Sequence, residues 1–325
     1  MATKPRVLVT GGAGYIGSTL VRDLLENGYA VRALDNLTYG DYGIADLKGR
    51  ADFEFIQGDI RNTSEIFPAV NGVAAVVHLA GSSGDQSCNL DEDACYATNF
   101  VGTEMVVRGC EYYGVPRLAF GSSCSVYGAA GDLVDESCAP NPLTLYARTK
   151  LLAEGVMLGS SLRCPTAFRM ATVYGISGRS RLDLVLNQLT VKALVDGQMT
   201  VFGGGQWRPL VHVKDVSGVY VKWLEADEGL VARQVFNVGA DEQNIQIRDL
   251  AYLIKQIYPE VKLDVRVMQS DFRDYRVGFS KIRDVLGFHP ARSLEDGILE
   301  VKHALDSGFI TNYKDPKYST RGRKL

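Results

Sequence analysis

Three features of the sequence predict an α/β protein, a doubly wound parallel sheet with a smaller C-terminal α/β domain. Apolar, β-branched runs alternate with helix-length segments through the first half of the chain, the order of a parallel sheet covered on both faces. One of those runs, Val73–Ala80, is almost continuously apolar, as a central strand must be when neither face meets water. The first run, from Val7, enters three glycines spaced three apart, Gly11, Gly14 and Gly17, and a helical pattern follows directly.

That first strand–turn–helix unit organises the rest. Ile16, Leu20 and Leu24 recur every fourth residue, and Asn27-Gly28 closes the helix. A strand that turns sharply into a helix aims unpaired backbone N–H groups and the positive end of the helix dipole at one point, where a pyrophosphate binds. Glycine is needed there because a Cβ would keep the phosphates off the backbone or press the helix away from the strand. A second strand, Ala30–Leu34, ends in Asp35, about twenty residues beyond the motif, the place of an acid that binds an adenosine ribose 2′-hydroxyl. A carboxylate there repels a 2′-phosphate, so NAD(H) is expected in preference to NADP(H).

Phe53–Gln57 reads as the third strand, ending at Gly58-Asp59-Ile60. After Val73–Ala80 come a long helix, Asp91–Tyr113, and a strand, Arg117–Gly121, that runs into Ser122-Ser123. A helix beyond Pro142 carries Tyr146 and Lys150, and Pro165–Val173 is a sixth strand, ending in Tyr174-Gly175. Ligands of such sheets bind beyond the carboxyl ends of the strands. Gly11–Gly17, Asp35, Asp59, Ala80, Ser123 and Thr172 are therefore expected to converge on one crevice.

The expected division is a dinucleotide-binding domain over 1–177 and a second, substrate-binding domain over 178–313. Residues 206–240 are expected to return to the first domain through short strands at Val211–Val213 and Val235–Val238. The second domain reads as a helix Leu182–Val195, a strand Thr200–Phe202, a loop at Gly203–Gly205, a helix Ile247–Tyr258, a strand Leu263–Met268 and a helix Ser280–Leu286. Residues 314–325 lack apolar periodicity and read as a mobile basic tail, with a crossing arm as the alternative.

Composition bounds the function. The 325 residues, 46% hydrophobic and 22% charged, suffice for one large core or two medium ones. A net charge of −3 without a basic stripe argues against nucleic acid as a partner. No apolar run approaches membrane-spanning length and only Lys4 and Arg6 precede the first strand, so neither membrane association nor a signal peptide is expected, and the expected location is cytoplasmic. Cys88, Cys95, Cys110, Cys124, Cys138 and Cys164 are scattered and read as reduced thiols, neither a disulfide framework nor a zinc site. The four histidines are equally dispersed, so no metal centre is expected.

Tyr146 and Lys150 lie one helical turn apart and share a face. The spacing by itself is uninformative, since Tyr258/Lys262 and Tyr313/Lys317 repeat it. Only Tyr146/Lys150 follows the fifth strand and its serine pair, at the cofactor edge of the sheet. Taking a hydride from a carbinol carbon requires a base for the hydroxyl proton, and a phenol, with a pKa of about 10, is a poor one near neutrality. A neighbouring ammonium and the positive nicotinamide ring favour the phenolate. Ser123 is placed to hydrogen-bond the same substrate oxygen.

Together these motifs resemble the extended short-chain dehydrogenase/reductases of the NAD-dependent nucleotide-sugar epimerase/dehydratase family, whose first domain is of the Rossmann type and which includes UDP-glucose 4-epimerases. The matching stretches are TGGAGYIG, Asp35-Asn36-Leu37, Gly58-Asp59-Ile60, HLAG at His78–Gly81, Asn99, SSCSVYG at Ser122–Gly128, YARTK at Tyr146–Lys150, FRMATVYG at Phe168–Gly175 and WRPLVHVKDV at Trp207–Val216. They occur in family order. The resemblance implies that Gly11, Gly14, Tyr15, Ile16 and Gly17 hold the pyrophosphate. It implies that Asp35, Asn36, Leu37, Asp59 and Ile60 bind the adenosine half, and that Leu79, Ala80, Gly81 and Asn99 line the cofactor. It makes Tyr146 the base, gives Lys150 the nicotinamide ribose, and has Ser123 orient the substrate. Arg208 matches the arginine that family members place on the diphosphate, a task suited to a planar, permanently charged fork. Asn187 is a second candidate there, with an ordinary helix-surface asparagine as the alternative.

Dehydratases of the family carry an Asp-Glu pair after the serine, and decarboxylases a glutamate where Ser125 stands; this chain has Cys124-Ser125. Elimination would then lack its acid and base, which leaves hydride removal and return. The resemblance therefore implies C4 epimerisation of a UDP- or dTDP-hexose through a transient 4-keto sugar, with NAD recycled. Cys124 stands one residue from the place where related 3,5-epimerases keep an acid/base cysteine, so a substrate-facing thiol and a small buried one both remain open. Thr172, where many members have asparagine, and Ser83, in the small polar loop Gly81–Asn89, are further substrate-contact candidates. So is Arg273 in the charged run Asp271–Arg276, a structural ion pair being its alternative. The rival readings are a 4-ketoreductase or dehydrogenase with net redox, and an NAD-sensing regulator, which retention of both Tyr146 and Lys150 disfavours. The helices Asp91–Tyr113 and Leu145–Leu158 have the apolar content to pair with their copies, so a homodimer is expected.

Overall fold

Seven parallel strands form the central sheet of the computed structural model, which describes residues 4–266 and 274–320. In chain order they are β1 (Lys4–Thr10), β2 (Tyr29–Asp35), β3 (Phe53–Gln57), β4 (Ala75–His78), β5 (Arg117–Ser123), then Cys164–Met170 and Gln234–Val238. Across the sheet the order is Gln234–Val238, Cys164–Met170, β5, β4, β1, β2, β3. The chain builds outward from β1 through β2 to β3, then crosses back and builds the other way from β4. Between β1 and β4 the winding reverses, and the crossovers leave a crevice beyond the carboxyl ends. Val7, Leu8 and Val9 of β1 are all fully buried, with Val7 and Val9 in the core on one face and Leu8 in the core on the other.

The expected sixth strand divides in two. Cys164–Met170 stays in the central sheet, whereas Thr172–Tyr174 leaves it and pairs in parallel with Trp207–His212, which is antiparallel to Asn244–Gln246. Val211 and His212 therefore do not return to the central sheet, while Val235–Val238 does, beside Cys164–Met170. Leu210 of that small sheet is buried with Tyr174, Leu186, Met199, Leu250 and Ile254 in a separate core. The helix expected at Leu182–Val195 shortens to Val185–Val191 with a π turn through Asp196. The helix expected at Asp91–Tyr113 begins at Glu92, capped by the Asp91 carboxylate on Ala94 N (2.9 Å), passes a π turn at Ala97–Val101, and ends at Gly114, φ +65°.

Two further expectations are corrected. Cys88 and Cys95 are joined by a disulfide rather than free; the chain breaks at Asp91 between two short helices and brings their Cα atoms to 5.0 Å. Residues 314–320 are not a mobile tail but the crossing arm. Pro316–Tyr318 forms a turn, Tyr318 packs with Leu182 and Val301, its carbonyl accepts Leu182 N–H (2.9 Å), and Thr320 is buried. Among the described residues no helix is long and apolar enough to cross a membrane, and no cluster of metal-ligating side chains occurs.

His78, at the carboxyl end of β4, is fully buried between the Thr10 hydroxyl (2.7 Å) and the Thr103 hydroxyl (2.9 Å). Thr103 spends its own proton on the Asn99 carbonyl (2.7 Å), so His78 Nε2 donates to Thr103 and Nδ1 accepts from Thr10. Burial, reinforced by the Lys150 charge, depresses the imidazole to about 3. The unfolded chain takes up this proton below about pH 6.5 and the folded one does not. Stability present at high pH is therefore lost as pH falls from about 6.5 towards 3, at about 1.4 kcal/mol per unit. Denaturant midpoints of the wild type and His78→Asn across pH 7.5 to 5 check this: the variant loses that part of the slope.

Candidate active site

The carboxyl ends of β1, β2, β4 and β5 and the strand Thr172–Tyr174 open onto one cleft of about 740 Å³. At its head the turn after β1 closes only with glycine. Gly11 has φ +71°, and a Cβ on it would lie 2.7 Å from Ala80 N; one on Gly17 would lie 2.0 Å from the Gly11 carbonyl. Gly14 begins the helix α1 (Tyr15–Glu26) without a side-chain cap, which leaves the helix N–H groups to a ligand. Tyr15 and Ile16 line the cleft, and the Tyr15 hydroxyl, bonded to the Gly175 carbonyl (2.8 Å), fastens this turn to the second half of the chain.

Asp35, Asn36, Asp59 and Ile60 line the next part of the cleft. The Asp35 carboxylate accepts Ala13 N–H (3.0 Å) and Leu37 N–H (2.9 Å); burial raises it, and these bonds pull it back. Burial also works against the Asp59 carboxylate, but its bonds to Arg61 (2.6 Å) outweigh that and hold it below the usual range. Leu79, Ala80 and Gly81 continue the wall. A glycine cradle at a helix N-terminus, with a fixed carboxylate at the end of the next strand, fits an adenine dinucleotide.

The other end holds the reactive groups. Tyr146 and Lys150 project from the helix Leu145–Leu158, which Thr144 caps by accepting Ala147 N–H (3.2 Å). Lys150 is buried, donates to the Gly121 carbonyl (2.9 Å), and stands 6.0 Å from the Tyr146 ring centre. Burial lowers its ammonium to about 8, against the pull of Glu154 one turn on. Ser123 ends β5 and accepts from the Ser125 hydroxyl (2.9 Å). Acidification of Tyr146 by Lys150 alone is not what the protein delivers. Burial leads and leaves the phenol above its ordinary value, against the lowering influence of the Ser123 and Ser83 hydroxyls and the Arg181 charge, while Asp85 adds to the rise.

Four candidates of the sequence do not reach the cleft, and a fifth cannot be placed. Leu37 (φ +60°) packs its side chain on the core and serves Asp35 through its backbone. Asn99 is buried; it accepts Ser82 N–H (2.7 Å) and donates to Thr149 (3.1 Å), so it positions the Gly81–Ser82 wall rather than touching a ligand. Cys124 is fully buried, its thiol donates to the Arg169 carbonyl (3.1 Å), and burial pushes its pKa well up, so it is the small buried cysteine. Asn187 is fully buried, accepts Gly175 N–H (3.0 Å) and donates to the Arg181 carbonyl (2.9 Å); it braces the loop after Tyr174 and offers nothing to a substrate. Arg273 lies outside the described residues. Ser83, Thr172 and Arg208 do line the cleft, with Arg208 over the Tyr275 ring at 5.8 Å.

The sequence reading missed Arg179, Arg181, Asp183 and Thr320, all in the cleft wall. The signal was present as alternating charge, Arg179-Ser-Arg181-Leu-Asp183, directly after the strand end at Tyr174-Gly175. Thr320 had no local signal, because it arrives from the far end of the chain.

Comparison with known proteins decides the assignment. A family model described as "NAD dependent epimerase/dehydratase family" matches residues 7–239. The chain belongs to that family. It is 26% identical over 334 residues to a UDP-glucose 4-epimerase of Lactobacillus helveticus, covering 95% of this chain and 99% of the relative. The structure of a UDP-glucuronic acid 4-epimerase from Bacillus cereus, in complex with UDP-glucuronic acid and NAD, superposes with a TM-score of 0.83 at 27% identity, covering 92% and 99% of the two chains. The dTDP-glucose 4,6-dehydratase DesIV of Streptomyces venezuelae, with NAD bound, gives 0.82 at 25% identity and covers 96% and 99%. This family member is accordingly NAD-dependent, and the glycine cradle and Asp35 are the residues that would hold the dinucleotide. Once bound, NAD supplies a hydride acceptor and donor at the Tyr146 end.

Proposed function

We propose that this protein is a redox-neutral nucleotide-sugar epimerase acting at C4 of a UDP- or dTDP-hexose through a transient 4-keto sugar. The observation that carries the reading is the convergence of Ser123, Tyr146 and Lys150 on the cleft that holds the glycine cradle, with Cys124 buried and Ser125 in place of any carboxylate after Ser123. In this reading Tyr146 takes the C4 hydroxyl proton as hydride leaves the carbon, and returns it after the ketone presents its other face. Ser123 holds the same oxygen in line, and Lys150 contributes charge beside the phenol. Arg208 and the Thr172 wall are the groups closest in kind to what a diphosphate and a sugar require. The 4-epimerases among the relatives support the reading. The dehydratase neighbour shares the scaffold, but Cys124-Ser125 offers neither the acid nor the base that water loss needs.

The test is incubation of the purified protein with UDP-glucose, UDP-galactose, UDP-glucuronic acid and dTDP-glucose without added nicotinamide. Interconversion of 4-epimers is the expected result; no interconversion there but stoichiometric turnover of NAD(H) supplied in a parallel reaction, or formation of a dehydrated sugar, would overturn it. The reading extends to a homodimer. Tyr96 (43% exposed), Tyr112 (73%) and Leu152 (47%) leave apolar area uncovered on the two adjacent helices expected to pair with their copies. Light scattering at micromolar concentration is expected to return twice the chain mass of 35.5 kDa, and a monomer contradicts it.

A further inference from the structure

Two walls of the cleft meet at a contact that the reading above does not use. Arg179, 3% exposed, lays its guanidinium over the Tyr39 ring at 4.2 Å, and both residues line the cleft. Tyr39 belongs to the loop after β2, four residues beyond Asp35, whereas Arg179 follows the strand Thr172–Tyr174. The backbones are close here too. A Cβ on Gly178 would lie 2.7 Å from the Gly43 carbonyl, and one on Gly43 would lie 2.9 Å from the carbonyl of Ala13 in the glycine turn. The crossing arm ties this junction from behind. Lys317 stands over the Tyr42 ring at 5.8 Å, and the Ser319 carbonyl accepts from Arg179 Nη2 (3.1 Å). Thr320 donates from its N–H (3.3 Å) and hydroxyl (3.2 Å) to Asp183, and its hydroxyl accepts from Arg181 Nη2 (3.1 Å).

We propose that the crossing arm is a strap on the dinucleotide site: through Ser319 and Thr320 it keeps the Arg179–Tyr39 contact closed, and so sets how fast NAD enters and leaves. An arginine side chain loses much rotamer freedom when it is laid flat on a ring, so the contact persists only where something fixes it. The Ser319 carbonyl does this, and it is itself fixed from both sides. On one side Tyr318 is buried with Leu182, Val301 and Ile310, and its carbonyl accepts Leu182 N–H (2.9 Å). On the other, Thr320 is bonded to Asp183, which also holds Arg181 in a two-point pair at 3.0 and 2.9 Å. The arm is therefore anchored by an apolar residue and reaches the cleft wall through polar contacts. Those contacts can part while Tyr318 stays packed, a local opening rather than unfolding. Tyr39 and Arg179 belong to segments 140 residues apart in the chain, so the dinucleotide site is closed only when the far end of the chain has docked. The inference needs the NAD dependence of the family and is independent of the sugar.

The test is the exchange of isotopically labelled NAD, loaded into the full chain and chased with unlabelled NAD, together with the Kd from equilibrium dialysis. Thr320→Val removes the hydroxyl and its two bonds; Thr320→Pro removes the N–H as well and with it all three. Release is expected to quicken in that order, by roughly tenfold for Thr320→Pro, the factor that about 1.4 kcal/mol of barrier carries. Because a strap hinders entry as well as exit, Kd is expected to rise by less than the release rate. An unchanged release rate overturns the proposal, whatever happens to the melting temperature. So does a Kd that rises in full proportion to release, the mark of a lost contact with NAD rather than of a strap. Should Thr320→Pro fail to fold, Thr320→Val and Tyr39→Leu carry the test, since the second removes the ring from the same contact at a distance from the arm. If the arm acts through that contact, the double variant Tyr39→Leu/Thr320→Val releases NAD more slowly than the product of the two single effects; independent effects overturn the route. No sugar is present in these measurements, so a protein inactive on every sugar nucleotide passes or fails them unaffected, and an active one whose NAD exchange ignores the arm removes this inference alone.

Discussion

Replacing Tyr146 by phenylalanine is expected to lower kcat by about 10²- to 10⁴-fold, or about 3–5 kcal/mol of transition-state stabilisation. In the proposed reading the phenol oxygen is the group that takes the carbinol proton. Ser123 can share a hydrogen bond with that oxygen but cannot remove the proton near neutrality. The ring stays in place in the variant, and the Lys150 bond to the Gly121 carbonyl (2.9 Å) does not involve the phenol, so the NAD content of the purified protein is expected to be unchanged. Steady-state rates with whichever of the four sugar nucleotides the wild type interconverts, together with a bound-NAD assay, check both halves. A variant that kept more than a tenth of the activity would remove Tyr146 from its assigned role.

The second large effect is on stability. Glu154 and Arg169 form an ion pair at 2.7 Å with side chains only 3% and 6% exposed, between the helix Leu145–Leu158 and the strand Cys164–Met170. Glu154 also accepts the Ser122 hydroxyl, and Arg169 donates to the Tyr127 hydroxyl (3.1 Å). Glu154→Ala strands a buried guanidinium and is expected to destabilise by about 3–5 kcal/mol. Replacing both partners with apolar residues, Glu154→Leu with Arg169→Met, leaves no uncompensated charge and is expected to recover most of that loss. Chemical denaturation of the two variants checks the difference; equal losses would contradict it. Glu154 lies one turn from Lys150, so the same pair sets the helix that carries Tyr146 against the strand Cys164–Met170, and activity is expected to fall with Glu154→Ala.

The parts of this molecule legible in the sequence are those written by local pattern. The Gly11–Gly17 turn, the acid at the end of β2 and the strand alternation depend on neighbours within a few tens of residues, and the doubly wound sheet follows from them. Tyr146 and Lys150 became distinguishable from Tyr258/Lys262 and Tyr313/Lys317 only through the strand that precedes them. What was not legible is made by contacts distant in sequence. Thr320 meets Asp183 across 137 residues, and Tyr15 meets Gly175 across 160. Asn187 carries a residue type suited to a diphosphate, yet the loop after Tyr174 needs its amide for three backbone partners, and burial decides the outcome. Cys124 has a similar history: a thiol beside the serine looks reactive in one dimension, but the start of the turn after β5 faces it into the core. The Cys88–Cys95 pair spans seven residues and depends on the break at Asp91, which no cysteine spacing announces.

The central claim is that one hydrogen leaves the sugar carbon and returns to it within a single turnover, with Tyr146 moving only the proton. A substrate carrying deuterium at C4 tests this most directly, with the product analysed by mass and NMR after reaction in ordinary water. The account predicts a 4-epimer that keeps its deuterium at C4. Exchange of that label for solvent hydrogen, or its migration to another carbon with loss of water, would contradict it.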